Sequence, residues 1–320
     1  MKLIIQNKLL FPEILKKWPR DIHKKQRAKI MIIAGFQEMI GAAALTTLAA
    51  YRVGAGIVML AVPGHLEKYY RQVPLECLIL PCPQTREGSI SLKAEKLILE
   101  KSVEYDVVIL GPGLSKNRET QKLVQRLVVK LKKPLILDAD GLNAMVGKIS
   151  LFRRRKFPTI LTPHEGEMAR LCEVSAQKIH KNREKFASQK AKEWSVVLVL
   201  KGYQTIIANN NVVNSTRSCK NDNIVIINRS GGPSLATAGT GDVLSGVIAV
   251  LWAENLKNPV KAAATAVFLH GNAGDKAAKK LGERSVMASD VIKYLPEVIQ
   301  KTSKHNQSII LTERKNKTKI

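Results

Sequence analysis

The chain has 320 residues, 45% hydrophobic but only 5% aromatic, which suffices for one large α/β domain or two smaller ones with aliphatic cores. Its 52 Lys and Arg against 26 Asp and Glu give a formal charge of +26. That balance favours polyanionic ligands, but with no nucleic-acid motif or interleaved aromatics it reads as a solvated lysine-rich surface. Cys77, Cys82, Cys172 and Cys219 form no C-x-x-C pair, which argues against a zinc or disulfide framework and fits a reducing cytoplasm, and no apolar stretch reads as a leader or a membrane span.

Residues 1–28 read as a basic N-terminal extension. "IMIIAG" (30–35) is expected to be a buried strand, 42–54 a helix and "IVMLAVPG" (57–64) the next strand. "DVVILGPG" (106–113), "PLILDADG" (134–141), "TILTPHEGE" (159–167) and "VVLVLKGYQT" (196–205) have the same form, with helical patterns at 118–131 and 176–194. Residues 205–215 look like a hairpin with an Asn-rich turn. Helices are expected at 242–254, 259–281 and 288–300, the second opening on a proline at a permitted position. Residues 301–320 hold six basic and one acidic residue and are expected to be a disordered tail. Continuous rather than alternating aliphatic strands imply a sheet covered on both faces. The expected fold is therefore a doubly wound, mostly parallel α/β sheet with helices on both faces, in one domain spanning 29–300.

Ligands of such sheets bind beyond the carboxyl ends of the strands. Those ends carry Gly111-Pro112-Gly113, Asp138 and Asp140, His164-Glu165, and Lys201-Gly202. The most telling stretch is "NRSGGPSLATAGTGDVLSGVIA" (228–249). After Asp242 the apolar residues fall on one helical face, so Gly239, Thr240, Gly241 and Asp242 lie at a helix N-terminus. Free N–H groups and bare glycines there make an anion hole suited to a phosphoryl group. Asp242 is either a first-turn acid stabilising the helix or a base that takes a proton from a hydroxyl attacking a phosphate. No Walker loop, no G-x-G-x-x-G after the first strand, and no metal-ligand cluster among the six histidines is present in the sequence.

"GPGL" (111–114), "DADGLN" (138–143), "LTPHEGEMARL" (161–171), "LKGYQTIIA" (200–208), "GGPSLATAGTGDVLSGVIA" (231–249) and "LHGNAGDKAA…ASDVI" (269–292) occur in order. As a set they resemble the ADP/ATP-dependent NAD(P)H-hydrate dehydratases of the ribokinase-like superfamily, over about Lys29 to Pro296. The resemblance implies repair of hydrated NADH or NADPH. ADP (or ATP) phosphorylates the ring hydroxyl, and phosphate is then eliminated. It assigns Asp242 as the base and Gly239, Thr240 and Gly241 as the phosphate hole. Lys201, Gly202, Tyr203, Gln204 and Thr205, with Gly241, would bind the adenine nucleotide. Ala42, Gly113, His164 and Asp242 would meet the hydrated dinucleotide, and Asn143 and Glu167 would support the site. Mg2+ is implied with the nucleotide, with no side chain as its direct ligand. The resemblance further implies a cytoplasmic homo-oligomer, with the tetramer of larger relatives as its expected form, working with a separate epimerase, because the residues before the first strand are too few for a fused one.

Two alternatives use the same residues differently. A ribokinase-like kinase of a vitamin precursor would keep Asp242 and the hole but release the phosphorylated product. A basic scaffold binding RNA or another polyanion would not depend on Asp242 and would be steeply salt-dependent.

Overall fold

The described residues form ten strands of one sheet. The computed structural model describes residues 2–72, 74–209 and 224–317, with the backbone alone for 304–317. The strands are β1 (Lys2–Gln6), β2 (Lys29–Ile33), β3 (Ile57–Pro63), β4 (Leu78–Cys82), β5 (Val107–Leu110), β6 (Leu135–Leu137), β7 (Thr159–Leu161), β8 (Val197–Leu200), β9 (Ile206–Ala208) and β10 (Ile224–Asn228). Their order is β1-β10-β9-β8-β7-β6-β5-β2-β3-β4. Only β9 runs against its neighbours β8 and β10; every other pairing is parallel.

The helices are α1 (Ile40–Val53), α2 (Glu67–Tyr70), α3 (Glu95–Ser102), α4 (Arg118–Lys130), α5 (Asp140–Asn143), α6 (Glu165–Cys172), α7 (Ala176–Lys181), α8 (Arg183–Trp194), α9 (Thr240–Ala253), α10 (Pro259–Leu281) and α11 (Ala288–Lys317). Two apolar cores result, one on each face of the sheet. Residues of α1, α9, α10 and α11 build one, and residues of α3, α4, α6 and α8 build the other. This is the doubly wound architecture expected from strands that are apolar on both faces, such as the fully buried Val107–Leu110.

The strands are shorter than the aliphatic runs that announced them. β5, β6, β7 and β8 stop at Leu110, Leu137, Leu161 and Leu200. The Gly, Pro, Asp, His and Lys that follow are loops, because Pro112 and Pro163 have no N–H for a ladder and Gly111 takes φ +133°.

Four expectations need correction. Residues 1–28 are not an extension of the domain but part of it: β1 pairs in parallel with β10, and Ile14 is buried in a core. Residues 301–317 continue α11 and are not a disordered tail; from Glu297 to Lys317 the sequence has no Gly or Pro to stop a helix. The helix expected over 176–194 is two, broken at Asn182, which leaves helical geometry at φ −138°. Strand β4 was not expected at all, because its short run is cut by Pro81. The hairpin expected over 205–215 begins as β9, antiparallel to β10, but its residues 210–215 lie outside the described residues, as does Cys219.

Candidate active site

The first turn of α9 is where the sequence leads one to expect an anion hole. Gly239 caps the helix with φ +89°, a conformation that favours glycine, and a methyl group there would come within 2.5 Å of the Leu45 side chain of α1. The N–H groups of Gly241 and Asp242 have no partner among the described residues. They face outward at the positive end of a 14-residue helix dipole. Thr240 is turned the other way: its hydroxyl reaches the carbonyls of Leu235 (2.8 Å) and Thr237 (2.9 Å). Its own carbonyl accepts from His270 Nε2 at 2.9 Å. Burial pushes the His270 imidazole down to about 4, so it serves as a neutral donor that pins this turn to α10.

Lys201 delivers a cation to the same place. One parallel bridge to His164 prolongs the β7–β8 pairing, and Lys201 N–H donates to Pro163 O at 2.8 Å. Its Nζ lies 2.7 Å from Asp138 Oδ1 and 3.9 Å from Glu167 Oε2. A methyl group on Gly241 would stand 3.1 Å from that Nζ, so the ammonium sits against the hole. Burial alone would lower the Lys201 pKa, but Asp138, Glu167 and Asp242 outweigh it and raise it, so the side chain is a permanent cation.

Asp242 has the opposite balance. Burial, then the charges of Asp138, Glu167 and Asp140, push its carboxyl up to about 7 against the pull of Lys201. A carboxylate poised near neutrality is suited to exchange protons. The other acids are held by fixed donors. Ser245 Oγ donates to Asp138 Oδ2 at 2.7 Å, and His164 N–H donates to Glu167 Oε2 at 2.8 Å. His164 completes a capping box, its Nδ1 accepting from Gly166 N at 3.0 Å and Glu167 N at 3.3 Å. Among the described residues no group of three or more His, Cys, Asp or Glu is placed to hold a metal ion.

Two hollows flank this centre. On one side a cavity of about 340 Å³ is lined by Lys201, Gly202, Tyr203 and Thr205 together with Thr240, Gly241 and His270. Arg183 staples that loop by donating to the carbonyls of Leu200 (3.3 Å), Lys201 (3.4 Å) and Tyr203. Tyr203 lines this cavity and is itself 79% exposed. Gln204, at φ +55°, does not line this cavity; it lines a separate depression of about 610 Å³ beside α7 and α8.

On the other side Ala42 and Gly113 meet: a methyl group on Gly113 would lie 3.2 Å from Ala42 Cβ. Near them a depression of about 710 Å³ is lined by Phe36, Met39, Ser115, Lys116 and Asp140. Asn143 braces Asp140 from behind this lining, donating to Asp140 Oδ1 at 3.1 Å and accepting from Arg170 Nε at 3.0 Å. Asp242 thus lies among groups from both sides: Asp140 lines this depression and Gly241 the cavity.

Residues 30–297 match the sequence profile of the NAD(P)H-hydrate dehydratase family. The chain belongs to that family. A bifunctional NAD(P)H-hydrate repair enzyme of Moorella thermoacetica is 38% identical over 288 residues, covering 90% of this chain and 52% of that protein. The Escherichia coli enzyme of the same name is 31% identical over 278 residues, covering 87% and 48%. The chain therefore spans about half the length of these relatives. Among solved structures, an ADP/ATP-dependent NAD(P)H-hydrate dehydratase from Bacillus subtilis, co-crystallised with ATP and Mg2+, superposes with a TM-score of 0.72 at 27% identity, covering 89% of this chain and 94% of that one. A ribokinase-like protein of Enterococcus faecalis shares the fold, with a TM-score of 0.74 at 22% identity over 94% and 96% of the two chains.

Within this dehydratase-family fold, the stretch from Gly239 to Asp242 lies at the start of α9 as expected, while Ser245, Arg183, Arg170 and the contact of His270 were passed over. Ser245 had a readable signal, a lone hydroxyl three residues after Asp242 on an otherwise apolar helix. Arg183 had none, being one of many cations on a basic chain.

Proposed function

We propose that this chain restores hydrated NADH or NADPH by phosphorylating the ring hydroxyl and eliminating phosphate, with ADP or ATP as donor. The observation that supports it best is the convergence of the α9 N-terminus, the Lys201 ammonium and Asp242 between two hollows. The adenine nucleotide occupies the cavity of Lys201, Gly202, Tyr203 and Thr205, with Gln204 positioning the loop from behind. The hydrated dinucleotide lies on the side of Ala42, Gly113 and Asp140, with His164 at the border.

Asp242 accepts the hydroxyl proton as the ring oxygen attacks the terminal phosphoryl. The bond to the nucleotide breaks, leaving AMP from ADP or ADP from ATP. The free N–H groups of Gly241 and Asp242, with Lys201, meet the negative charge in transit and need no reorganisation to do so. Phosphate then departs with the C–O electron pair while the ring nitrogen donates its lone pair. Loss of a proton from the adjacent ring carbon restores the dihydronicotinamide. Mg2+ would supply charge neutralisation, held mainly by phosphate oxygens and water, because the acids around Lys201 are already engaged by fixed donors.

The substrates are both nucleotides of the cytoplasm, where the reaction is placed. An epimerase acting on the same hydrate is the expected partner, as the bifunctional name of the relatives suggests.

The test is recovery of the NADH absorbance band from hydrated NADH with Mg2+ and ADP or ATP. Recovery is expected with at least one nucleotide. Asp242→Asn should lower it by about 10²–10⁴-fold, the range for a positioned general base. A folded wild type that recovers no absorbance with either donor overturns the assignment.

A further inference from the structure

Asp138 directly follows β6 and is 1% exposed, yet no step above uses it. Its carboxylate is fully engaged. Oδ1 accepts from Lys201 Nζ at 2.7 Å and from Ala139 N at 2.9 Å, and Oδ2 accepts from Ser245 Oγ at 2.7 Å. The donors come from the end of β8, from the turn after β6 and from α9.

The backbone around it is equally constrained. Ala139 stands at φ +48° and ψ −118°, a conformation that a residue with a side chain rarely adopts. Such strain persists only where the surroundings over-determine it, and it collects at functional sites. Here it accompanies an Ala139 N–H aimed back at the Asp138 carboxylate. Next door, a methyl group on Gly111 would come within 1.9 Å of Asp138 O, so the loop after β5 has to be bare for Asp138 to sit where it does. A buried ion pair is weak evidence for stability, since apolar residues of similar volume do as well. Strain, close backbone approach and three converging donors point to a requirement of geometry instead.

Ser245 ties the arrangement to the chemistry. It lies on α9 one turn beyond Asp242, so the helix that carries the base and the anion hole also carries the brace. We propose that Asp138, braced by Ser245 and by the strained Ala139 peptide, is the positioning residue that fixes the Lys201 ammonium against the N-terminus of α9. The proposal rests on the phosphoryl-transfer reading above. Asp138 touches no substrate in it, and acts through Lys201 and through its charge on Asp242. The charged and titratable groups facing Asp242 are Asp138 after β6, Asp140 of α5, Glu167 of α6 and Lys201 after β8, with His270 of α10 bonded to the neighbouring Thr240 carbonyl.

The test compares wild type, Asp138→Asn and Ser245→Ala in the absorbance assay, with ADP affinity measured by calorimetry. Asp138→Asn should lower kcat by about tenfold to a hundredfold, the effect of a misplaced group, without weakening ADP binding, because an anion near the phosphates has been removed. The acid limb of its pH profile should move to lower pH, because one of the charges that raise the Asp242 pKa is gone. Ser245→Ala keeps that charge, so its limb should stay while kcat falls by about threefold to tenfold. Unchanged kcat in folded Asp138→Asn overturns the proposal. So does a fall that merely tracks weaker ADP binding with the limb unmoved. If Asp138→Asn does not fold, unchanged kcat in Ser245→Ala overturns it instead. If the wild type turns over no hydrate at all, the phosphoryl-transfer reading fails, and positioning is still read from the Lys201 ammonium resonance, identified by its loss in Lys201→Arg. That signal should be protected from exchange in the wild type and unprotected in Ser245→Ala; equal protection in both overturns the proposal.

Discussion

At the residue scale, Asp242 joins function to an electrostatic penalty. Its pKa stands at about 7 in the fold against an ordinary 3.8, chiefly through burial. In its proposed role as the base it must be ionised, so turnover should climb with pH through about 7 and level off above it. An initial-rate profile from pH 5.5 to 9 reads this, and a flat profile would count against Asp242. The same shift has a stability consequence of fixed sign. Between about pH 4 and 7 the folded chain holds a proton that the unfolded chain releases. The penalty is therefore absent below about pH 4, grows through that window and is complete above 7. Three units correspond to about 4 kcal/mol at most, and partial solvent access reduces that. Asp242→Asn should therefore be more stable than wild type by about 1–3 kcal/mol at pH 8 and equal to it near pH 4, read as a difference in Tm. The difference is the right quantity because His270 works in the opposite sense. Its lowered pKa makes the fold lose stability as pH falls from about 6.5 to 4, in both proteins alike.

At the element scale, α9 is the piece on which the site depends. It packs on α1 so closely that a methyl group on Gly246 would lie 2.4 Å from Thr46 O and 3.0 Å from Ala49 Cβ. A clash with backbone has no flexible side chain to absorb it. Gly246→Ala should separate the two helices and destabilise the fold by about 1–3 kcal/mol, in the range of overpacked interiors, despite alanine's better helix propensity. Because Leu45 of α1 also backs Gly239, the shift should reach the anion hole and raise the KM for the nucleotide. Denaturant melts and initial rates together check this; an unaltered KM in a destabilised variant would confine the damage to the packing. The identity of α9 was legible from its apolar face and glycine-rich lead. Its register against α1 was not, because no local pattern records which turn of a distant helix lies opposite Gly246.

At the scale of the whole molecule, the N-terminal residues close the structure. β1 pairs with β10, whose last residue Asn228 lines the cavity proposed for the nucleotide. Ile14 O accepts from Asn255 Nδ2 at 3.2 Å, and Trp18 Nε1 donates to Glu254 at 3.2 Å. Deleting residues 2–18 should leave β10 as an edge strand, lower Tm by several degrees and weaken ADP binding by about tenfold through the loosened cavity wall. Calorimetry and a thermal melt on the shortened chain measure both, and unchanged ADP affinity would show that β1 serves stability alone. The sequence by itself determined the layer architecture, because strands apolar on both faces admit only a covered parallel sheet. It also located the stretch proposed as the anion hole and its acid at the start of α9, because glycines, a helix start and a carboxylate are contiguous from 239 to 242. Only the tertiary structure decided that Lys201 faces Gly241, that Asp138 and Ser245 brace it, and that the first residues belong to the sheet. Those contacts join residues separated by 40, 63, 107 and more than 200 positions, and periodicity and capping carry no information over such distances.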